Sequence, residues 1–470
     1  MGSPVPLSFG PSSSFGKFGT DGSRRVFNAY AVSIQGGGKD AFALYAAPGL
    51  KPFVTLPTLG YRGGIVVNQI IYAVYGRALY AITALGDVTQ IGGIPGDGFV
   101  STAVNTLADP HILFCAAGRV FVVHAGVFSE LQTDVLPPVI DVDYLKGRFV
   151  FGITDGRWYY SDINSITINA LSFYNAEGMP DGLTAIWVRR NEVWLLGTNS
   201  VEVYTPTENV DDPFSPLGGG VLPYGCIAKG SVAQNNDSIF WVDDNNIVRR
   251  TQGYQPQEIS PPWLTRLIDA EPDPSELVAS VYILDSQQFY EISGRNFTAR
   301  YNLAGDASSG WTERDTVGSS RWRGQGSLSY NGKTLIGDAS SGDLWQLDKD
   351  HPYDGDQKVM VRLQAAVVHA WPMPLSIYSL HADMISGAID DGSDPELAQP
   401  EILLRMSEDG GKSFDGVLRE PLWRQGENGR VIWRQLGTYE RQGAVAEISY
   451  WSGVGKAFMG AVINGAAGST

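Results

Sequence analysis

The sequence is poor in cysteine, in histidine and in basic residues. Its 470 residues include 2 Cys and 5 His, and 34 Lys and Arg stand against 50 Asp and Glu, which gives a formal net charge of −16. A protein that recognises nucleic-acid sequence needs surplus basic residues to replace phosphate counterions, so the charge argues against that class. The same charge is compatible with a surface along which nucleic acid slides without sticking.

Neither cysteine nor histidine has the spacing of a metal site. Cys115 and Cys226 lie far apart, in apolar or glycine-flanked strand contexts, and the sequence contains no C-x-x-C. We therefore expect two buried thiols and assembly in a reducing compartment. The histidines, which also lack metal-ligand spacing, are His111, His124, His351, His369 and His381. No metal, cofactor or catalytic residue is predicted, and the chain is not expected to be an enzyme.

Long hydrophobic runs and helical patterns are also scarce. No stretch approaches about 18 uninterrupted apolar residues, so no membrane span is expected. The first twenty residues lack the apolar run of a secretory signal. A short helix is predicted only at residues 262–270 (PWLTRLIDA), which begin with proline.

Glycine, proline and aromatic residues are abundant instead, with 56 Gly, 26 Pro and 12 Trp, 21 Tyr and 19 Phe. This composition is typical of an all-β chain with many turns. Residues 185–206 (AIWVRRNEVWLLGTNSVEVYTP) show the pattern most clearly. Three short strands are separated there by polar turns at residues 189–191 and 197–200, which predicts a three-stranded meander.

An aliphatic–aromatic pair within an apolar strand recurs along the chain. Its aromatic members are separated by 42, 35, 38, 53, 42 and 48 residues. A period of about 40–50 residues with several strands per repeat predicts a β-propeller of six to eight blades, with seven favoured. Two ordinary antiparallel β-sandwiches are the alternative. The pairs are Ile71-Tyr72, Leu113-Phe114, Ile186-Trp187, Ile239-Phe240 and Val281-Tyr282, with looser copies at Arg148-Phe149 and Leu328/Tyr330. The residues predicted to fill the spaces between blades are Trp158, Trp187, Trp241, Trp311 and Trp345.

Composition divides the chain into three parts. Residues 1–40 are rich in Ser, Gly and Phe and can hardly form a core, so we expect an extended N-terminal arm that becomes ordered on a neighbour. The repeats fill residues 41–359 and form the predicted propeller. Beyond them the pattern changes to separate β segments, which predicts a small C-terminal β-sandwich over residues 360–470.

Two patterns invite an enzymatic interpretation. Residues 407–414 (SEDGGKSF) resemble the Asp-box of sialidases, S-x-D-x-G-x-T-W, in which the aspartate holds a hairpin turn remote from the chemistry. Adjacent carboxylates such as Asp243-Asp244 do not meet the requirement of glycosidases, whose two carboxylates face each other across a sugar. Residues 243–246 (DDNN) are therefore predicted to form a hairpin tip.

Four stretches together carry a resemblance to a known family. They are Asn28-Ala29-Tyr30; residues 47–50 (APGL) with Tyr61-Arg62-Gly63; Tyr160-Ser161-Asp162 through Phe173 with residues 180–183 (PDGL) and 197–204 (GTNSVEVY); and residues 407–414 with 433–437 (WRQLG) and Arg441. In combination they resemble the packaged-DNA stabilisation proteins, also called tail accessory or hub proteins, of short-tailed bacteriophages.

The resemblance implies a structural virion protein at the tail vertex, assembled in the host cytoplasm. Six copies would form a ring-shaped hub or nozzle below the portal and adaptor proteins and would carry the needle, fibres or tailspikes. This homohexamer would continue the DNA channel, retain packaged DNA and release it at genome ejection. Phage DNA would pass through the lumen without specific binding, for which an acidic or neutral wall is suitable.

Two other functions remain open from the sequence. A sialidase-like or glycan-binding β-propeller is the alternative, because the chain has one Asp-box-like turn and many Trp and acidic residues. A cytoplasmic propeller that acts as a scaffold for protein partners is the third hypothesis.

Overall fold

Antiparallel strands make up most of this chain, as the abundance of glycine and aromatic residues predicts. The structure is a computed structural model of the 470 residues. The residues it describes are 4–18, 22–34, 41–176, 178–179, 181–235, 237–304, 310–386, 399–423, 429–440 and 442–468. Pro180 and Arg441, which form part of the family resemblance, lie outside these ranges.

Six short strands open the chain, and they are distributed over three different sheets. The N-terminal segment therefore contributes to several parts of the fold. The strands are β1 (Val5–Leu7), β2 (Ser14–Phe15), β3 (Ser23–Phe27), β4 (Ala29–Ser33), β5 (Phe42–Ala46) and β6 (Gly49–Thr55).

Seven four-stranded antiparallel units follow in the described ranges, and strands that are adjacent in the sequence pair within each unit. Unit 1 is β7 (Tyr61–Val67), β8 (Ile70–Tyr75), β9 (Ala78–Ile82) and β10 (Val88–Gly93). Unit 2 is β11 (Ser101–Val104), β12 (Ile112–Ala116), β13 (Arg119–His124) and β14 (Val127–Glu130). Unit 3 is β15 (Val139–Leu145), β16 (Arg148–Ile153), β17 (Arg157–Tyr160) and β18 (Phe173–Asn175).

Units 4 to 7 follow, and unit 7 differs from the others because its fourth strand comes from the start of the chain. Unit 4 is β19 (Leu183–Arg189), β20 (Glu192–Gly197), β21 (Val201–Pro206) and β22 (Phe214–Leu222). Unit 5 is β23 (Ala233–Gln234), β24 (Ile239–Val242), β25 (Val248–Gln252) and β26 (Gln255–Glu258). Unit 6 is β27 (Val278–Leu284), β28 (Gln287–Ser293), β29 (Thr298–Asn302) and β30 (Trp311–Glu313). Unit 7 is β31 (Gly324–Tyr330), β32 (Lys333–Asp338), β33 (Asp343–Asp348) and β6.

Helical structure is confined to three short segments in the described ranges. The α-helix α1 (Pro262–Asp269) begins with proline, where no intrahelical donor is needed, and it confirms the predicted helix. It buries Trp263, Leu264 and Ile268 against units 5 and 6. Two 3-10 turns, Lys229–Ser231 and Pro274–Glu276, lie before the first strands of units 5 and 6.

Two short strands extend the sheet of unit 7 beyond β6, and the remaining strands complete two sheets that enclose a single core. One sheet contributes Ile377 and Trp433 to this core, and the other contributes Leu404 and Ile448. This is a β-sandwich, but β1, β3, β4 and β5 from the N-terminal segment belong to it as well. The C-terminal strands are β34 (Tyr353–Asp354), β35 (Gln357–Lys358), β36 (Met360–Gln364), β37 (Leu375–Ser386), β38 (Glu401–Ser407), β39 (Leu418–Pro421), β40 (Val431–Tyr439), β41 (Val445–Trp451) and β42 (Gly455–Ala467).

The aliphatic–aromatic pairs mark strands, but they do not mark equivalent positions in the repeat. Tyr72 and Phe114 lie in the second strands of their units, whereas Trp187, Tyr282 and Tyr330 lie in first strands. The assumption of one equivalent anchor per repeat is therefore wrong. Second strands are almost fully buried and first strands are partly buried, so both carry an apolar and aromatic pattern.

Several hairpins turn through two residues that both have positive φ, as a type I′ turn requires. Between first and second strands these residues are Asn68-Gln69, Lys146-Gly147, Asp285-Ser286 and Asn331-Gly332. Asn and Gly adopt this conformation readily, whereas Gln and Ser are strained in it. The predicted tip at residues 243–246 is confirmed as the turn between β24 and β25, with Asn246 at φ 61°.

We expect Gln69→Gly to raise the free energy of unfolding by about 0.5 kcal/mol, because it relieves a left-handed conformation of a non-glycine residue. Gly332→Ala should lower it by a similar amount; an added Cβ there meets no neighbour, so the change tests the backbone alone. Urea denaturation of both variants measures the effect. Equal and unchanged midpoints would contradict the turn assignment.

The described residues of segment 1–40 are paired with strands of the same chain, so they differ from the predicted extended arm. β3 lies between β30 of unit 6 and β36, and β1 pairs with β42. The hydroxyl of Ser13 donates to Glu313 over 2.9 Å. A Ser-, Gly- and Phe-rich segment cannot build a core of its own, but it can complete sheets that are already present.

Asn28, from the family resemblance, joins three parts of the fold. Its buried side-chain amide donates to the main-chain oxygen of Met360 over 2.9 Å and to the Asp315 side chain over 2.9 Å. Its own carbonyl accepts from the main chain of Ala47 over 2.8 Å. The residue has φ 53°, a conformation that Asn tolerates better than most residues.

Asn28→Ala should therefore lower the free energy of unfolding by about 3 kcal/mol, of which about 1 kcal/mol reflects the left-handed backbone. Asn28→Gly should cost about 2 kcal/mol, because it loses only the hydrogen bonds. Asn68→Ala, at an exposed position with φ 49°, is the control and should cost about 1 kcal/mol. A loss for Asn28→Ala no greater than the control would contradict the joining role.

Candidate functional site

The first strands of all seven units line one cavity of about 380 Å³, which we call the axial channel. Because every unit presents its first strand to the same cavity, the units are arranged around a common axis. The channel-lining residues include Tyr61 and Gly64 of unit 1, Ser101 and Thr102 of unit 2, Asp141 and Asp143 of unit 3, Ile186 and Val188 of unit 4, Ala233 and Gln234 of unit 5, Ala279 and Val281 of unit 6, and Gly326 and Ser327 of unit 7.

A wider cavity of about 700 Å³ adjoins one end of the axial channel and shares Tyr61, Phe99 and Lys229 with it. Its walls include turns between second and third strands, such as Gly76 and Gly294, and links between successive units. We call this end of the propeller the mouth. The strands are antiparallel, so turns between first and second strands and between third and fourth strands lie at the opposite end, which we call the turn end.

Two aspartates of β15 bridge units 3 and 4 inside the channel. Asp141 accepts a hydrogen bond from the main-chain N–H of Ile186 over 2.9 Å, and Asp143 accepts one from Val188 over 2.6 Å. These donors belong to the channel-facing edge of β19, where no further strand pairs with them. Burial raises the pKa of both carboxyl groups, and that of Asp143 reaches about 7.

Lys229 supplies the opposite charge. Its ammonium donates to the main-chain oxygen of Ile140 over 2.8 Å and to the Ser101 hydroxyl over 3.3 Å. The positive charge partly offsets the effect of burial on the pKa of Asp141. Units 2, 3 and 5 are thereby joined across the channel by one side chain.

The Tyr61-Arg62-Gly63 motif of the family resemblance forms the joint between unit 1 and the link to unit 2. Arg62 is buried and satisfies carbonyl groups of the turns around it. The carbonyl groups belong to Gly76, Ile94, Pro95 and Gly98. A Cβ on Gly63 would lie 2.4 Å from the Val100 oxygen, so only glycine fits where the chains cross.

The tryptophans predicted to fill the spaces between blades divide into two groups. Trp158, Trp241, Trp311 and Trp345 are buried in the cores between units, as predicted. Trp187 packs against the core between units 4 and 5 but is only half-buried, because it also lines the axial channel, where its indole N–H donates to Gln234 over 2.6 Å. A first strand exposes part of one face to the channel, and its apolar pattern alone does not reveal this.

The two cysteines are free and buried, which confirms the expectation of two buried thiols. Burial raises the pKa of both thiols to about 12, so neither is a reactive thiolate at neutral pH. Two histidines that are distant in the sequence do meet: the rings of His111 and His124 stack with centroids 3.9 Å apart. In the described part of the chain, no group of three or more His, Cys, Asp or Glu side chains could hold a metal ion.

The Asp-box-like segment forms the predicted hairpin turn. The carboxylate of Asp409 accepts from the main-chain N–H groups of Lys412 and Ser413, each over 2.9 Å, and from the Ser407 and Ser413 hydroxyls. These bonds lower the pKa of Asp409. Its lone pairs are engaged in holding the turn, which lies in the C-terminal sandwich away from the axial channel.

The sequence predicts no catalytic, cofactor or metal residue, and the channel residues were not predicted from it either. The segment VIDVDYL of β15 places Asp141 and Asp143 two positions apart in an otherwise apolar strand. Charged residues are rarely buried without partners, so this alternation is the signal that would have pointed to them. Their partners could not be found in this way, because main-chain donors carry no sequence signature.

The comparison with protein families decides the assignment. Residues 23–352 match the family model described as "Bacteriophage P22 Gp10, beta-propeller". The chain belongs to this family. The predicted β-propeller and the resemblance to phage DNA-stabilisation and tail accessory proteins are thereby confirmed. The protein is a structural protein of a phage tail, and its place is the virion.

Other comparisons add little to the family match. The crystal structure of BamB from Moraxella catarrhalis aligns with a TM-score of 0.40 and 10% identity, over 69% of this chain and 98% of that chain. No curated protein matches the sequence. No helix in the residues that the structure describes is long and apolar enough to cross a membrane.

The raised pKa of Asp143 predicts that the free energy of unfolding depends on pH. Its folded-state pKa of about 7 exceeds the usual value of 3.8, so the native state binds a proton that the unfolded state has lost, and stability falls as pH rises from about 4 to about 7. Asp143→Asn removes this dependence. The free energy of unfolding of the variant, relative to that of the unmodified chain, should therefore rise by at most about 1.4 kcal/mol per pH unit. This difference should level off above pH 7.

Denaturation at pH 5, 6, 7 and 8 measures this difference. Asp155→Asn is the control, because an adjacent Arg157 lowers the pKa of Asp155 and the carboxylate stays ionised throughout this range. A difference for Asp143→Asn that is independent of pH would contradict the assigned burial.

Proposed function

We propose that this protein is the hub or nozzle of a short-tailed phage. Copies of the chain, six by family resemblance, form a ring below the portal and adaptor proteins, and the ring continues the DNA channel and retains packaged DNA. The match of residues 23–352 to the phage propeller family is the observation that carries this proposal. The proposal assigns the chain no catalytic role.

The dimensions of the axial channel support a conduit formed between copies. The axial channel encloses only about 380 Å³. Asp141, Asp143 and Lys229 also cross-link its walls. Duplex DNA therefore passes along an outer surface of the propeller, in the lumen that the ring encloses.

The construction of the chain suits a rigid ring. β6 completes unit 7, and β3 connects unit 6 to the C-terminal sandwich through one continuous sheet. Strands that are paired across units leave few free edges and resist displacement during packaging and ejection. The net charge of −16 suits a lumen that phosphate groups must pass without being held.

The proposed partners are other copies of the chain, the portal and adaptor proteins, and the needle, fibres or tailspikes. Immunogold electron microscopy with antibody against this chain tests the location in the particle. Gold at a single tail vertex, and a ring of this chain in particles disrupted by mild denaturant, are expected. Gold distributed over the capsid, or a chain that purifies from particles only as a monomer, would contradict the hub.

A variant that opens the axial channel tests the path of the DNA. Trp187→Ala removes an indole from the channel wall, and we expect particles with this variant to retain nuclease-protected DNA as well as unmodified particles do. Trp158→Ala, which removes a fully buried tryptophan, is the contrasting change and should destabilise the chain by about 3–5 kcal/mol. Leakage of DNA specific to Trp187→Ala would contradict a conduit between copies.

No observation in the structure favours the carbohydrate-active alternative. Its motivation was the Asp-box-like turn, and the carboxylate of Asp409 is occupied by the turn itself. A glycan array and a reporter-glycoside assay test it directly. Specific binding of a glycan, or hydrolysis of a reporter glycoside, by the purified chain would support the carbohydrate-active function.

A further inference from the structure

Two neighbouring loops at the turn end, those between the third and fourth strands of units 3 and 4, are longer than the corresponding loops of units 1, 2 and 5. The third and fourth strands of units 2 and 5 are joined by only two residues, 125–126 and 253–254. The corresponding loops are residues 161–172 in unit 3 and 207–213 in unit 4. We call these two segments the acidic loops. Long ordered loops on a rigid sheet scaffold are where proteins place binding residues.

The acidic loops are fixed to each other at their bases. The hydroxyl of Tyr174, just after the first loop, donates to the carboxylate of Asp212 over 2.6 Å and accepts from the main-chain N–H of Phe214 over 3.1 Å. The Tyr174 ring also stacks on the buried Trp158, with centroids 5.1 Å apart. The two loops therefore form one surface rather than two separate projections.

Each acidic loop holds its shape through its own hydrogen bonds. In the first loop, Leu171 N–H donates to the Asn169 side chain over 3.0 Å, and Asn164 N–H donates to the Gly147 carbonyl over 2.6 Å. In the second, Asp211 N–H donates to the Asn209 side chain over 3.0 Å. A surface that is already ordered loses little entropy when a partner binds.

The fixed shape leaves large apolar side chains in solvent. Leu171 is 84% exposed, Val210 69% and Ile163 53%. Ile168 of the same loop is buried, so the loop is able to place an isoleucine in the core. Three exposed apolar residues on two joined loops form a surface of the kind that contacts a partner.

The charged side chains of this surface are all negative. Asp162, Glu208, Asp211 and Asp212 are all exposed, and neither loop contains lysine or arginine. No ion pair of these four carboxylates is found among the described residues, and Lys146 is the cation of the neighbouring turn. Exposed carboxylates elsewhere on the propeller do form ion pairs, for example Arg77–Asp97 at the mouth and Arg190–Asp237 at the turn end.

We propose that the acidic loops are a docking surface for a protein segment that carries Lys or Arg side chains around an apolar centre. The carboxylates would attract and orient the basic residues, and Leu171, Val210 and Ile163 would bury apolar area against the centre of the segment. Four exposed carboxylates repel phosphate, which argues against nucleic acid and against an anionic lipid surface. The docking surface rests on the location of the protein in the phage particle. It does not depend on whether the protein forms the hub.

Photo-crosslinking in assembled particles tests the proposal. A benzophenone amino acid replaces Leu171 or Val210, and in control particles it replaces Leu59 or Val317, exposed apolar residues on the links between units at the mouth side. We expect the two loop positions, and not the controls, to crosslink to a particle protein, within a segment rich in Lys and Arg. Crosslinks to DNA or lipid, to an acidic segment, or equally from all four positions would overturn the proposal.

A charge-neutral variant provides the second measurement. Asp162→Asn, Glu208→Gln and Asp211→Asn are combined, while Asp212 is kept because it holds Tyr174; circular dichroism and melting temperature verify that the chain remains folded. The crosslink yield from Leu171 should fall at least about tenfold, since the basic partner loses its counter-charges. Asp97→Asn, at the mouth, is the matched control and should leave the yield unchanged. A yield unaffected by the triple neutral variant would overturn the electrostatic basis of the docking surface.

Discussion

The pairing of β6 with β33 is the interaction on which the rest of the structure depends. Residues 49–55 run antiparallel to β33, with Gly49 opposite Asp348 and Thr55 opposite Asp343. Without β6, β33 would present an unpaired edge and unit 7 would have three strands. β3 plays a similar part between β30 and β36. Both ends of the chain are therefore needed to complete the propeller and the sandwich, which explains how a segment with no core of its own is ordered.

The need to satisfy main-chain polar groups also shapes the centre of the propeller. The first strands have no neighbour on the side of the axial channel, and the free N–H groups of Ile186 and Val188 are bonded by Asp141 and Asp143. Lys229 does the same for a carbonyl group. A buried polar group without a partner costs more than these bonds contribute, so charged side chains are retained in a narrow channel. As a result, hydrogen bonds along the axial channel join the first strands of different units.

Much of the local structure follows from particular residues. The meander of unit 4, helix α1 after Pro261, the turn of Asp409 and the burial of both cysteines were predictable, because turn chemistry and apolar patterning act over a few residues. Which strands of the repeats are equivalent was not predictable, because Trp187 in a first strand and Phe114 in a second strand carry the same pattern. The channel residues and the joined acidic loops escaped prediction because their partners are far away in the sequence.

The sequence by itself determined the all-β character, the strand and turn pattern and the family of this phage tail protein. The first 55 residues gave no sign that β1, β3 and β6 complete three different sheets. Only the tertiary structure decides this pairing, because a strand pairs with a main-chain edge that the rest of the fold leaves free. The main-chain hydrogen bonds that it forms there are the same for every sequence. The positions of Asp141 beside Ile186 and of Tyr174 beside Asp212 were likewise decided only when neighbouring units packed together.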